Sequence, residues 1–412
     1  MSVILFEDEL VAQLSPVAIG SPAFCTSCGS YRLLDLIVRL DEAWEAIVRP
    51  HLREVLAADF PHLAGAAGTA EDPVMLVNAR LVPKVSVLKR LREFFRRGRP
   101  AVVRLGESVA AAILPPGVKP PGWDTDMRRI VECFAGLPHE DAAMELPLFE
   151  YPHDVIRHHM AALPENLEDR LTLWHYQEIA DGVFAGPGAT LGQYVVTDSG
   201  GGPILLDENA RVGPYTYLSG PTYIGAGTRI IEHSALKDNV ALGHTCKVGG
   251  EVEASAIEPY TNKQHHGFLG HSYLGSWINL GAGTSNSDLK NTYGTVSMEY
   301  DGRKVDTEMQ FVGCIMGDYA KTAVNTSIFT GKTIGACSMV YGFVTTNVPS
   351  FVNYARSFGQ ITEVPDEVII ASQARMFKRR NVTQRPCDIQ LLRDIHVLTR
   401  HERQIANEPL AL

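Results

Sequence analysis

The chain has 412 residues, 45% of them hydrophobic, enough for more than one buried core, so two domains are expected. Its 37 basic residues against 47 acidic ones argue against a general nucleic-acid-binding surface, and no apolar run approaches the roughly 20 residues that span a membrane. The opening MSVILFEDELV has no basic segment leading into an apolar stretch, and seven scattered cysteines suit reduced thiols, so a cytoplasmic protein is expected.

Residues 1–180 read as one mixed α/β domain. Val3 to Phe6 forms a short apolar strand, and Tyr31 to Arg49 carries apolar residues at helical spacing. Cys25-Thr26-Ser27-Cys28 has no second ligand pair, which favours two buried thiols over a zinc site. Val74 to Val77 is a second buried strand, and Lys84 to Arg99 (KVSVLKRLREFFRRGR) is a basic amphipathic helix with a solvated charged face. The run LPPGVKPPGW, 114–123, is a loop, and Leu146 to Pro164 leads towards the second domain.

From about Val183 to Val348 the pattern changes. Val212, Leu218, Ile224, Ile230, Leu236, Leu242, Val248 and Ala254 lie six apart, and the phase resumes at Leu274 and Leu280 and again from Met316 through Thr322, Ile328, Ile334 and Val340. A period of six fits neither a helix nor a flat strand; it fits a parallel β-helix whose three six-residue faces close one coil. Seven or eight coils are expected over 181–350, with Ser285 to Gln310 projecting as an out-of-phase loop. In the remaining segment, 351–412, Ile389, Leu392, Ile395 and Leu398 mark an amphipathic helix after Pro386 that would cap the open end of the prism.

The densest polar cluster is TNKQHHGFLGHSYLGSWIN, 261–279, followed by LGAGT, 280–284. A neutral histidine is the natural general base near pH 7, and transfer of an acyl group to an amine needs one as the nitrogen attacks the thioester. Asn279 and the N–H groups of Gly281, Ala282 and Gly283 are placed to bind substrate or a developing oxyanion.

This half resembles the acetyltransferase half of the bifunctional N-acetylglucosamine-1-phosphate uridyltransferases, the GlmU family, and more closely a GlmU-like branch of sugar nucleotidyltransferases. The resemblance is carried by GEVEASAIEPYTNKQHHGFLGHSYLGSWINLGAGT (250–284), SDLKNTYG (287–294) and IMGDYAKTAVNT (315–326). It implies a left-handed β-helix, a homotrimer with the acyl site between neighbouring prisms, and acetyl-CoA as donor. Aligned on it, the catalytic base falls on His265, the substrate-contacting asparagine on Asn279 and the acetyl-contacting alanine on Ala282. The family's substrate tyrosine falls on Phe268, and two phosphate-contacting lysines fall on Glu253 and near Phe311. Lys263, His266, His271 and Lys290 are the other substrate-binding candidates, and Lys321 joins Gly281, Ala282 and Gly283 on the acyl-CoA side.

The N-terminal half resembles the nucleotidyltransferase domain of the same branch through FEDELVAQLSPVAIGSPAF (6–24), CGSYRLLDLI (28–37), LVNARLVP (76–83) and LFEYPHDVIRHH (148–159). No Gly-rich phosphate turn follows the first strand, and Ser21 stands where the branch carries Arg before the proline. Arg32, Asn78 and Arg80, with Glu7 and Asp8, are the candidate nucleotide contacts, and a working domain would take an NTP with Mg²⁺.

The expected function is therefore acyl transfer to an amino sugar or sugar phosphate by the β-helix, with a degenerate N-terminal domain that, where active, would transfer a nucleotide to a sugar-1-phosphate. Two other readings stay open. His266 and His271, spaced H-x₄-H, with His244 a coil earlier, match a trimeric β-helix zinc enzyme of carbonic-anhydrase type. The loss of phosphate cations also fits a non-catalytic scaffold that binds a nucleotide sugar.

Overall fold

The computed structural model describes residues 2–40, 43–61, 73–118, 121–122, 125–140 and 146–405. The N-terminal domain is built on a six-stranded sheet in the order Ala43–Ile47, Ser2–Phe6, Val74–Asn78, Ser108–Leu114, Ala101–Leu105, His139–Glu140. The first three strands are parallel and Ser108–Leu114 runs against its neighbours. Every residue of Val74–Asn78 is buried, as a strand covered on both faces requires.

The expected basic helix is present as Val85–Arg97 and stops at Gly98, whose φ of 62° is left-handed. The expected helix from Tyr31 to Arg49 is not. Leu33–Ile37 is a single short helix, and Ala43–Ile47 instead adds a strand beside Ser2–Phe6. Pairing with a buried strand outweighs the helical spacing there. Of the expected loop at 114–123, Leu114 ends a strand, and residues 119, 120 and 123 lie outside the described residues. Cys25 and Cys28 are free thiols, and burial pushes that of Cys25 up to about 12.

A 20-residue helix, Asp154–Leu173, carries the chain into a parallel β-helix. One face stacks eight parallel strands from Val183–Ala185 to Lys332–Ile334, with a further bridge from Ile334 to Val348. Leu206, Ile224 and Leu242 succeed one another inward on this face eighteen residues apart. The spacing then slips: the next inward residues are Ile257 and Leu274, so the coils shorten by a few residues. Ala254 accordingly leaves the inward phase that the sequence pattern gave it. Val252 fills the core position, and Ala254 is a buried corner residue at φ 43°.

Two expectations about the appendages are corrected. Ser285–Asn286 is a rung of the β-helix, paired with Ser327–Ile328, and the true insertion is a β-hairpin, Ser297–Tyr300 with Arg303–Asp306. It is no free loop: Tyr300 stacks on Tyr151 and His153 of the N-terminal domain, at 5.4 and 5.7 Å. The helix Pro386–Leu398 exists, but it is more than a cap on the prism. Its His396 meets Phe351 and Glu363 at the last coil, its Leu391, Leu392 and Ile395 join the cluster shared by the last coils and the N-terminal domain, and Arg385 pairs with Asp59. The last coil is closed by Gln360–Glu363 running antiparallel to Val352–Ala355.

Candidate functional site

The polar cluster of 261–284 winds around the prism, so residues close in sequence end on different edges. Asn262, Asn279 and Lys321 succeed one another on one face. Three residues on from Asn262 and Asn279, His265 and Ala282 share the corner that follows that face. The corner is tied together by ladder bonds from Gly283 N–H to the His266 carbonyl (3.0 Å) and from Asn325 N–H to the Ala282 carbonyl (2.7 Å).

At this corner His265 and His266 are exposed, as is Asn279. The N–H of Gly281 donates to the Thr322 carbonyl (3.1 Å) and that of Gly283 to His266, so neither is free for a ligand. Ala282 N–H, between them, is outside the ladder. Gly283 has φ 77°, and a Cβ there would lie 2.2 Å from Asn325 Oδ1; the glycine is a packing requirement of the turn.

The other candidates are carried elsewhere. Lys263 is an inward residue, 2% exposed, opposite Val248. Its ammonium donates to the carbonyls of Gly249 (2.7 Å), His265 (3.2 Å) and Gly267 (2.7 Å), which uses all three of its hydrogens. Burial pulls its pKa down to about 8, still cationic at pH 7. It is a structural bolt beneath the corner, and this corrects its assignment to substrate. Phe268 is half-buried on the next face, its N–H bonded to Ser285 Oγ. Lys290 donates to the Thr295 carbonyl and Lys321 to the Tyr319 carbonyl, both at 2.9 Å.

His271 lies at the following corner, bonded through Nδ1 to Asp288 Oδ2 at 2.8 Å and stacked on Phe311 at 5.1 Å. His244 lies at the remaining corner, its ring against Tyr260 at 5.0 Å. The three histidines of the zinc reading therefore occupy three different edges, and one chain does not bring them together. Among the described residues no group of three or more His, Cys, Asp or Glu side chains is placed to hold a metal.

In the N-terminal domain, a 3₁₀ helix, Glu9–Leu14, follows the first strand where a phosphate turn would lie. Asn78 and Arg80 sit at the carboxyl end of Val74–Asn78, the crevice where open α/β sheets bind ligands. Their polar atoms are committed inward. Arg80 is fully buried and donates to both oxygens of Asp8 (2.8 and 2.7 Å), to Ser108 Oγ and to the Phe149 carbonyl. Asn78 donates to Asp8 Oδ2 and to the Val109 carbonyl, both at 2.8 Å. Arg32 is held by Asp35. Glu7, also fully buried, accepts from Ala23 N–H and from Arg49. With Glu7, Asp8 and Glu9 after the first strand each paired to an arginine, the residues present do not fit a Mg²⁺ site there.

The segment after the first strand faces a different space. A cavity of about 870 Å³ opens between Gln13, Pro16 and His51 of the N-terminal domain, the hairpin at Tyr300, and Lys332 and Thr346 of the last coils.

Sequence reasoning missed a buried acidic pair where the two domains meet: Glu258 ties them directly, and Asp318 lies close to Gly20. Glu258 accepts from Ser27 N–H and Oγ and from Tyr273 OH, and Asp318 accepts from Ser276 N–H. Burial pushes the Asp318 carboxyl up to about 7 and raises that of Glu258. Both residues lie in the stretches that carry the resemblance, but nothing in the six-residue phase marks them as interfacial.

Residues 3–171 match the family model described as sugar nucleotidyl transferase. The bifunctional protein GlmU of Acaryochloris marina is 30% identical over 178 residues, which covers 41% of this chain and 35% of the relative. A bifunctional sugar-1-phosphate nucleotidylyltransferase/acetyltransferase of Sulfurisphaera tokodaii is 29% identical over 142 residues, 34% of this chain and 35% of the relative. The chain thus spans about a third of the length of these curated relatives. Among solved structures, the UDP-N-acetylglucosamine acyltransferase of Francisella novicida matches over 57% of this chain and 79% of its own, at 13% identity and a TM-score of 0.33.

Proposed function

We propose that this distant relative of the bifunctional GlmU proteins, whose residues 3–171 match a sugar nucleotidyl transferase model, transfers an acyl group from acetyl-CoA to an amino group on a sugar or sugar phosphate. The observation that carries the reading is the corner itself: exposed His265 and Asn279 on adjoining coils, with Ala282 N–H outside the ladder between them.

His265, free of side-chain partners among the described residues, takes the proton as the acceptor nitrogen attacks the thioester carbonyl. The new C–N bond forms, charge develops on the carbonyl oxygen beside Ala282 N–H, and the C–S bond breaks as the proton passes to the departing CoA sulfur. Asn279 orients the acceptor. The rigid coil holds these groups in place, so little reorganisation is needed during reaction. The reading takes the active form as a homotrimer with the corner facing a neighbouring prism.

CoA release across a panel of amino sugars and their phosphates, with His265→Ala alongside wild type, tests it. Amine-dependent release reduced about 10²–10⁴-fold in the variant is the expected result. Release that ignores the substitution removes His265 as the base, and no release with any acceptor overturns the reading.

A further inference from the structure

The face that carries Asn262 and Asn279 begins with cations. Arg211, Arg229 and Lys247 stand directly opposite one another on three successive rungs, and the next rungs on are Asn262 and Asn279. Their inward neighbours Val212, Ile230 and Val248 fill the core, so all three cations project from the outer surface. The end of the helix Asp366–Arg379 lies over the same face, where Arg380 donates to Asn262 Oδ1 at 2.7 Å.

Like charges facing each other across adjacent strands are destabilising. This chain has a net charge of −10, so carboxylates to relieve them are plentiful. Yet among the described residues none forms an ion pair with Arg211, Arg229, Lys247, Arg379 or Arg380. Burial lowers the pKa of Lys247, and Arg380, Arg229 and Arg379 lower it further, as expected where cations converge without a counter-charge. At about 4.8 Å per rung the ladder covers ~10 Å, the reach of a short phosphate chain.

We propose that Arg211, Arg229 and Lys247, completed by Arg379 and Arg380, form a binding site for the di- or triphosphate group of a nucleotide-linked ligand, whose far end reaches the His265–Asn279 corner. The acyl-transfer reading gives this ligand its role as donor or acceptor; binding itself does not depend on it.

Calorimetric titration of the full chain with inorganic tripolyphosphate, CoA and a UDP-linked amino sugar tests the proposal, at low and at high salt. Tripolyphosphate should bind wild type and weaken with salt. The triple variant R211Q/R229Q/K247Q should bind at least about tenfold more weakly while melting no lower than wild type, since it removes a like-charge contact. R379Q/R380Q, which leaves Arg211, Arg229 and Lys247 in place, should also lose affinity. H265A should keep it, so a failed transfer assay and a failed binding site give different results. Binding of CoA alone among the organic ligands would mark the site as the donor's; binding of the UDP sugar alone would mark it as the acceptor's. Wild type that binds none of the three, or variants that bind as well as wild type, would overturn the site.

Discussion

Lys263 shows how far one side chain's meaning depends on its rung. In TNKQHH it reads as a substrate cation; in the fold it points inward and fastens three carbonyls of the corner. Lys263→Met should therefore cost about 2–5 kcal/mol in urea unfolding, because the carbonyls lose their donor. Any fall in activity should track the unfolded fraction. Asp318 makes a prediction about pH. Burial raises its carboxyl from 3.8 to about 7, so between these values the folded protein holds a proton the unfolded chain has released. Its contribution to stability is complete below 3.8 and is lost as pH rises through about 7. Asp318→Asn keeps an acceptor for Ser276 N–H and should raise Tm at pH 8 by about 1–3 °C, with little change at pH 4. A lower Tm at pH 8 would count against a protonated role.

At the level of elements, the β-helix was legible because an aliphatic residue every six positions has no other regular explanation. Its irregular middle was not, since the short coils around Ile257 and Leu274 break the phase without leaving a distinct residue type. The hairpin did leave a signal. Asp301-Gly302 joins its strands with φ of 48° and 75°, the left-handed pair of a two-residue turn, and Asp-Gly is a standard sequence mark for it. Tyr300→Ala should free this hairpin from Tyr151 and His153. Limited proteolysis near 301–302 should then speed up several-fold while global stability falls by only about 1–2 kcal/mol. Unchanged cleavage would mean the stack does not hold the hairpin.

The whole molecule is joined by a shared core. Ala256, Tyr273, Ile315, Ala336 and Phe351 of the β-helix lie in one hydrophobic cluster with Val3, Phe24 and Leu52 of the N-terminal domain and with Leu392 of the terminal helix. His159 bridges the parts as well, bonded to Gly29 N–H at one ring nitrogen and to the Asn239 carbonyl at the other. Calorimetry should accordingly show one cooperative transition, and a chain begun at residue 176 should expose this cluster and aggregate. Two well-separated transitions would show that the domains are independent.

What the sequence by itself determined is the pair of architectures, an α/β domain and a β-helix, together with the stretch in which the candidate chemistry lies. Hydrophobic period and buried apolar runs are local properties, written along the chain. The tertiary structure alone decided which of Lys263, His265, His266 and His271 share an edge, that Asp8 and Arg80 close the sheet crevice on each other, and that three cations line up on one face. Those outcomes depend on coil length summed over many residues. A coil that shortens by one or a few residues keeps its core positions, as Ile257 and Leu274 do, but changes which later residues share an edge.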